Sequence, residues 1–297
     1  MAQSGGAGAI VQYRTRSSRH KIVRIAVLYT LSTVLGVLFL APFLWTVASS
    51  LKQPWEMYAF PPVLLPQVPQ FRNYVEIFTD YPFLTWFKNS MIVVILATTG
   101  SVLSSSLVAY GFARFDFRFR NVLFIITIAT MMLPGQVSLI PRFILFYHLQ
   151  WLDTLKPLWV PAWFGGGAFA IFLMRQFILT LPRELDEAAV IDGASYFRVF
   201  WNILAPLCKP ALATLAIIAF IGNWDSFLDP VVFLHSPSNF TVAIGLWFFK
   251  AQPLVADRPV WHLLMAASVT SILVPISLFF SFQRYFVQGI VLTGLKE

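Results

Sequence analysis

The sequence predicts an all-α membrane protein with six transmembrane helices. It is 58% hydrophobic and only 11% charged, whereas soluble domains carry about 25% charged residues. Six apolar windows contain no Asp, Glu, Lys or Arg, and the basic residues between them alternate between dense and sparse loops. Spans need about 17 to 25 residues.

The basic segment 1–24 reads as disordered or surface-bound, a tail rather than a span. The first window, Ile25 to Leu51, is about twice the 7 to 15 residues of a signal peptide's apolar core, so an uncleaved first helix is expected. Prolines in "FPPVLLPQVP" favour extended structure over a regular helix in the segment from Lys52 to Lys88. That segment is expected to lie over the outer surface.

Asn89 to Ala113 forms the second span, where Ala97, Ser101, Ser105 and Ala109 recur every four residues. Small residues on one face let helices approach closely. Their partner is expected within this subunit, with a second membrane subunit as the other reading. The third window is Asn121 to Pro141. The fourth, Pro157 to Met174, contains Gly165 to Gly167, which would loosen a helix or admit a neighbour. The fifth, Pro210 to Trp224, reaches full thickness only by adding Asp225 to Val232 or borrowing Leu204 to Lys209. An irregular, partly re-entrant excursion from Asp225 to Trp261 precedes the sixth window, His262 to Gln283.

Orientation follows from Lys and Arg. The tail carries Arg14, Arg16, Arg19, Lys21 and Arg24, the second loop Arg114, Arg118 and Arg120, and the fourth Arg175, Arg183, Arg198 and Lys209. Arg284 and Lys296 complete that side, and the alternate loops hold half as many. Both termini are therefore expected in the cytoplasm, with a six-span domain over 25–286 and a second tail over 287–297. Topology accounts for the net charge of +8, so no nucleic-acid partner is invoked; membrane lipid is the expected surroundings.

No catalytic machinery is found. His20, His148, His235 and His262 lie on different loops without metal-site spacing, so no metal is expected. There is no nucleophile elbow, phosphate loop or intramembrane carboxylate pair, and Cys208 stands alone. Ion-coupled carriers usually place ionisable groups inside the membrane. Energy for uphill transport would then come from a partner.

The most polar stretch of the second half, "RELDEAAVIDGASYFRVFWNILAP" from Arg183, reads as two short helices. Pro182 opens the first, Glu184, Asp186 and Glu187 sit at its positive end, and Gly193 ends it. Ser195 can cap the second, where Tyr196, Phe200 and Ile203, with Phe197, Trp201 and Leu204, cover an apolar arc until Pro206 closes it. Such an aromatic face suits a groove in a partner.

Here the sequence resembles a known family. Glu187, Ala188, Ala189, Asp192, Gly193, Ala194, Ile203 and Pro206 match, in type and spacing, the cytoplasmic coupling loop of membrane subunits of bacterial binding-protein-dependent ABC importers, with Ala205 in place of the usual Leu. "NWDSFLDPVVFL" from Asn223 and "QRYFVQGIVLTGLKE" from Gln283 resemble carbohydrate (maltose-permease) importer subunits.

The resemblance implies a type I importer permease fold in the bacterial inner membrane. It implies a second, different permease subunit, two ATPase subunits and an extracytoplasmic solute-binding protein. ATP and Mg would sit on the ATPase, with no cofactor on this chain. The loop over 181–206 would dock there, with Glu187 pairing to a basic residue and Tyr196, Phe197 and Phe200 in the contact; a pair between Glu187 and Arg183 is the alternative. The tail from Gln288 could also touch the ATPase, and Pro237 to Val260 could face the binding protein. Trp224, Asp225, Phe227 and Trp247 are candidate sugar contacts, alongside Phe248, Phe249 and Trp261, although Trp at a membrane boundary is ordinarily an anchor. A permease for a non-sugar solute, an ion-coupled carrier and a membrane enzyme or scaffold are the competing readings.

Overall fold

A computed structural model describes the backbone of residues 6–251 and 260–294, with side chains over 23–250 and 260–282. Among the described residues the regular structure is helical: α1 (Gly6–Ser50), α2 (Arg72–Thr79), α3 (Phe83–Arg114), α4 (Arg120–Ala129), α5 (Leu139–His148), α6 (Lys156–Trp159), α7 (Ala168–Leu179), α8 (Glu184–Ile191), α9 (Tyr196–Val199), α10 (Ala205–Leu207), α11 (Lys209–Trp224), α12 (Leu228–Phe233), α13 (Val242–Ala251) and α14 (Trp261–Gly294). The basic segment, read as disordered or surface-bound, is helical from Gly6 and continuous with the first span.

α3 packs most extensively against α7 and α11, while α1 packs against α14. The buried face of α3 runs Phe83, Trp86, Ser90, Val94, Ala97, Ser101, Ser105, Ala109 and Ala113, a stripe at helical spacing. The small-residue ladder is buried within this chain, so its partner is internal. Ser101 Oγ donates to the Gly166 carbonyl at 3.0 Å, and Ser104 Oγ donates to the Ala162 carbonyl at 2.8 Å. Trp163 lies over Gly100, where any Cβ would strike its indole ring.

Three expected spans differ from their windows. The fourth is broken: α6 passes into a 3₁₀ turn over Val160–Trp163, then Gly165, Gly166 and Gly167 all take positive φ before α7 begins. The third ends at Met132, because Pro134 disfavours helix in the residue before it, and α5 starts a new direction. The fifth gains neither extension. Its 16 residues reach about 24 Å, bounded by an 81° bend from the helical segment before Lys209 and by the break at Asp225–Phe227. α1, by contrast, runs through Pro42 and leaves most of its apolar side chains exposed.

At the end of α3 far from α8, the segments read as extended or irregular are held by hydrogen bonds. Glu56 is buried, its carboxylate accepting from the Gln53 and Gln67 amides at 2.8 and 2.9 Å. Asn73 donates to the Ser50 and Lys52 carbonyls. The 225–261 excursion is helical in α12 and α13, with Phe233, Leu234, Val242 and Phe249 buried; residues 252–259 of the candidate docking loop lie outside the described residues. Trp86 Nε1 donates to the Pro237 carbonyl at 2.9 Å, and Ser90 Oγ accepts from the Val242 amide at 2.8 Å.

Asp153 anchors the 234–239 turn. Its Oδ1 accepts from the His235 and Ser236 amides at 2.9 and 2.8 Å, and its Oδ2 accepts from the Ser236 hydroxyl. Burial raises the carboxyl pKa, but these donors outweigh it and hold the group below the usual carboxylate range. A depressed carboxylate stabilises the fold above its unfolded pKa and loses that contribution on acidification.

Amide-exchange protection of His235 and Ser236 is therefore expected to be flat near neutral pH and to fall as pH drops below about 3.9. At Gly166 the φ of +66° and the collision of any Cβ with the Ser101 carbonyl predict that Gly166→Ala lowers stability by about 1–3 kcal/mol, read as a lower melting temperature in detergent.

Candidate functional site

The polar stretch folds as a knuckle. α8 ends when Gly193 adopts φ +84°. Its amide donates to the Val190 carbonyl at 3.0 Å, and the Ala194 amide donates to the Ala189 carbonyl at 2.9 Å, the paired bonds of a Schellman stop. Ser195 caps α9, its hydroxyl accepting from the Arg198 amide at 3.4 Å. Pro182 lies before the helix, whose N-cap is Arg183.

Pro206 does not close the second helix. A π turn over Phe200–Leu204 precedes it and helical structure continues through Leu207. The π turn widens the backbone where proline offers no donor.

Packing divides the predicted contact residues into two sets. Ala189, Val199, Phe200 and Leu204 are buried in a cluster with Tyr110, Ala113, Met174 and Ile178, and Ala194 and Ile203 pack against it. The expected arc is thus split, because Phe200, in the π turn that follows α9, packs against Tyr110 of α3. Facing outward are Glu187, Ala188, Asp192, Gly193, Tyr196, Phe197 and Pro206. Ile191, absent from the sequence-based set, is 84% exposed and Phe197 65%. Soluble surfaces seldom cluster such groups without a partner.

Glu187 has no ion pair within 4.0 Å among the described residues, so the pair with Arg183 does not form; the Arg183 guanidinium instead reaches the Ala113 carbonyl at 3.5 Å. An exposed carboxylate beside an apolar knuckle can pair with a cation from outside.

What pins the knuckle was missed in the sequence. Arg114, in the last turn of α3, pairs with Asp186 at 2.5 Å with side chains 6% and 16% exposed. The same guanidinium donates to the Leu181 carbonyl at 3.1 Å. Tyr110 donates from its hydroxyl to the Tyr196 carbonyl at 3.2 Å and lies 5.3 Å from the Phe200 ring. Burial pushes the Asp186 carboxyl pKa up, although Arg114 and Arg183 pull it down. The pair is a close, buried charge contact, and Arg114 Nε and Asp186 Oδ1 make no hydrogen bond. Arg114 had only been counted among the orientation charges; its place in the last helical turn, where cations favour the dipole, was the available signal.

The candidate sugar contacts do not converge. Trp224 lines a cavity of about 50 Å³ with Ser90, Asn223, Ser226, Asp229 and Thr241, and its ring stacks on Phe220 at 6.2 Å. Asp225, Phe227 and Trp247 lie outside that cavity and are exposed. Phe249 is buried between Tyr81 and Trp86, and Phe248 lies edge-on to Trp86. Asp229, which sequence reasoning passed over, forms a bidentate pair with Arg142 at 2.7 and 3.0 Å. Among the described residues no cluster of His, Cys, Asp or Glu could hold a metal ion.

Comparison with known proteins follows the same lines. A family described as "Binding-protein-dependent transport system inner membrane component" matches residues 101–291. The chain is 33% identical over 283 residues to the arabinooligosaccharides transport system permease protein AraQ of Bacillus subtilis, covering 94% of this chain and 98% of that one. It is 33% identical over 267 residues to the sn-glycerol-3-phosphate transport system permease protein UgpE of Yersinia enterocolitica, covering 87% and 93%. Its fold is similar to a chain of a bacterial ABC transporter involved in the import of the acidic polysaccharide alginate, with a TM-score of 0.78, 24% identity and coverage of 90% and 98%.

Arg114→Ala leaves the Asp186 carboxylate buried without its cation, and is expected to destabilise the fold by about 3–5 kcal/mol. Asp186→Asn, which removes the charge that burial disfavours, is expected to cost less. Denaturant unfolding in detergent, followed by Trp fluorescence, compares them.

Proposed function

Because the chain belongs to the family of binding-protein-dependent transport system inner membrane components, we propose that it is the permease subunit through which such a system imports a carbohydrate, driven by an ATPase docked on the Gly193 knuckle. The knuckle supports this reading most directly. Ile191, Tyr196 and Phe197 project from a base pinned to α3 by Arg114, so a force applied there is carried into a span. A loose loop would absorb it.

Glu187 supplies the charged contact at this surface, and Ala188 and Asp192 flank it. ATP and Mg belong to the partner. Both chain termini and the knuckle face the cytoplasm, in agreement with the basic loops. The remaining partners are a second permease subunit, for which the exposed apolar surface of α4 and α5, including Ile125, Ile140 and Tyr147, is suited, and a solute-binding protein on the far side, where Asp153 and Trp86 hold the 234–241 turns in place.

The relative that carries arabinooligosaccharides favours a carbohydrate solute. The glycerol-phosphate relative supports a second reading, a phosphorylated polyol. Labelled arabinooligosaccharide accumulating in vesicles that carry the whole transporter, without labelled sn-glycerol 3-phosphate, is the expected result; the reverse selects the second reading.

Gly193→Pro cannot adopt φ +84°, since proline is confined near −65°, and Ile191→Asp places a charge at the apolar tip. Both variants are expected to insert normally. Each should retain the ATPase at least about tenfold less well on co-purification, a loss of roughly 1.4 kcal/mol of binding, and lose uptake. Normal ATPase retention in both would overturn the docking assignment.

A further inference from the structure

The turn joining α3 to α4 carries an exposed arginine, Arg118, that forms no ion pair among the described residues. Residues Asp116 to Val122, one continuous turn, line a shallow, widely open cleft of about 400 Å³. Asp116 is engaged by Arg120 at 2.5 Å. Arg118 is exposed and forms no ion pair among the described residues; its guanidinium lies 4.9 Å from the Phe119 ring. Arg175 packs on Phe124 at 4.0 Å and feels the like charge of Arg120. The cleft is therefore a site of positive potential whose single carboxylate is already paired.

Its setting points to the ligand. The turn follows the apolar run of α3 at its Arg114 end, and Phe117 and Phe119 are 43% and 61% exposed beside Arg118, apolar groups suited to the boundary between acyl chains and headgroups if α3 spans the bilayer. Phe119 takes φ +66°, a left-handed conformation that a bulky residue adopts only when its surroundings enforce it. We propose that this cleft binds the phosphate of an anionic phospholipid, with Arg118 as the principal donor, Arg120 beside it and the two phenylalanines against the acyl chains. Arginine recognises phosphate by charge-assisted hydrogen bonds, and basic clusters at a helix's cytoplasmic end attract anionic lipid.

The inference rests on α3 and α4 crossing the membrane, and needs neither the ATPase nor the solute. A failure of coupling or uptake therefore leaves its test intact. The purified full chain in neutral detergent is mixed with phosphatidylglycerol and phosphatidylcholine of matched chains, and retained lipids are counted by native mass spectrometry. Wild type is expected to keep a phosphatidylglycerol that Arg118→Ala binds about fivefold more weakly, the factor of one basic side chain at an anionic surface. Arg118→Lys should keep most of the binding, and phosphatidylcholine retention should not change. Because Arg118 is exposed, the alanine variant is expected to fold, which an unchanged circular dichroism spectrum checks. Equal phosphatidylglycerol retention by wild type and Arg118→Ala overturns the proposal. So does displacement of the lipid by excess inorganic phosphate, which would make this a free-phosphate site.

Discussion

Everything in this fold depends on how closely α3 can approach α7 and α11. In lipid no hydrophobic force draws helices together, so association relies on packing and short polar contacts. Ala97, Gly100, Ser101 and Ser105 clear the space, and Gly166 brings its carbonyl to the Ser101 hydroxyl without a Cβ in the way. The glycine run breaks the fourth span and in return lets the chain lie against α3.

Since α3 spans 32 residues, about 48 Å of helix, it reaches both the knuckle and the 237–242 turns. One end carries Tyr110 and Arg114, which hold the knuckle. The other carries Trp86 and Ser90, which hold the 237–242 backbone. Trp86 lies so close to Gly245 that any side chain there would collide with its ring, and its buried indole contributes apolar area as well as a hydrogen bond. A displacement of the knuckle is thus tied through one rigid element to the far surface. Stiffness is what the tie supplies. Coupling between sites needs an element with defined arrangements rather than a slack chain.

Much of the site was legible in sequence because its signals are local. Gly193 and Ser195 are stop and cap residues whose chemistry acts within one turn, and both act as their types imply. The small-residue ladder was visible for the same reason. By contrast, the division of the aromatic arc required a partner surface that lies about 90 residues upstream: Phe200 is buried because Tyr110 is opposite it, and no local pattern says so. Arg114 and Asp186 were each readable only as boundary charges, since an ion pair between distant segments has no spacing of its own. Pro206 misled for a related reason, as a π turn can carry a helix across it.

Read alone, the sequence determined that the chain is helical and crosses a membrane, that Gly193 stops one short helix and Ser195 caps the next, and which loop carries the family's pattern. Hydropathy and capping are properties of a residue and its near neighbours, so they survive without coordinates. Tertiary structure decided which side of the knuckle faces inward, which spans are broken, and which charges are paired and which left free. Those outcomes depend on desolvation, and a group is desolvated only by the segments that fold against it.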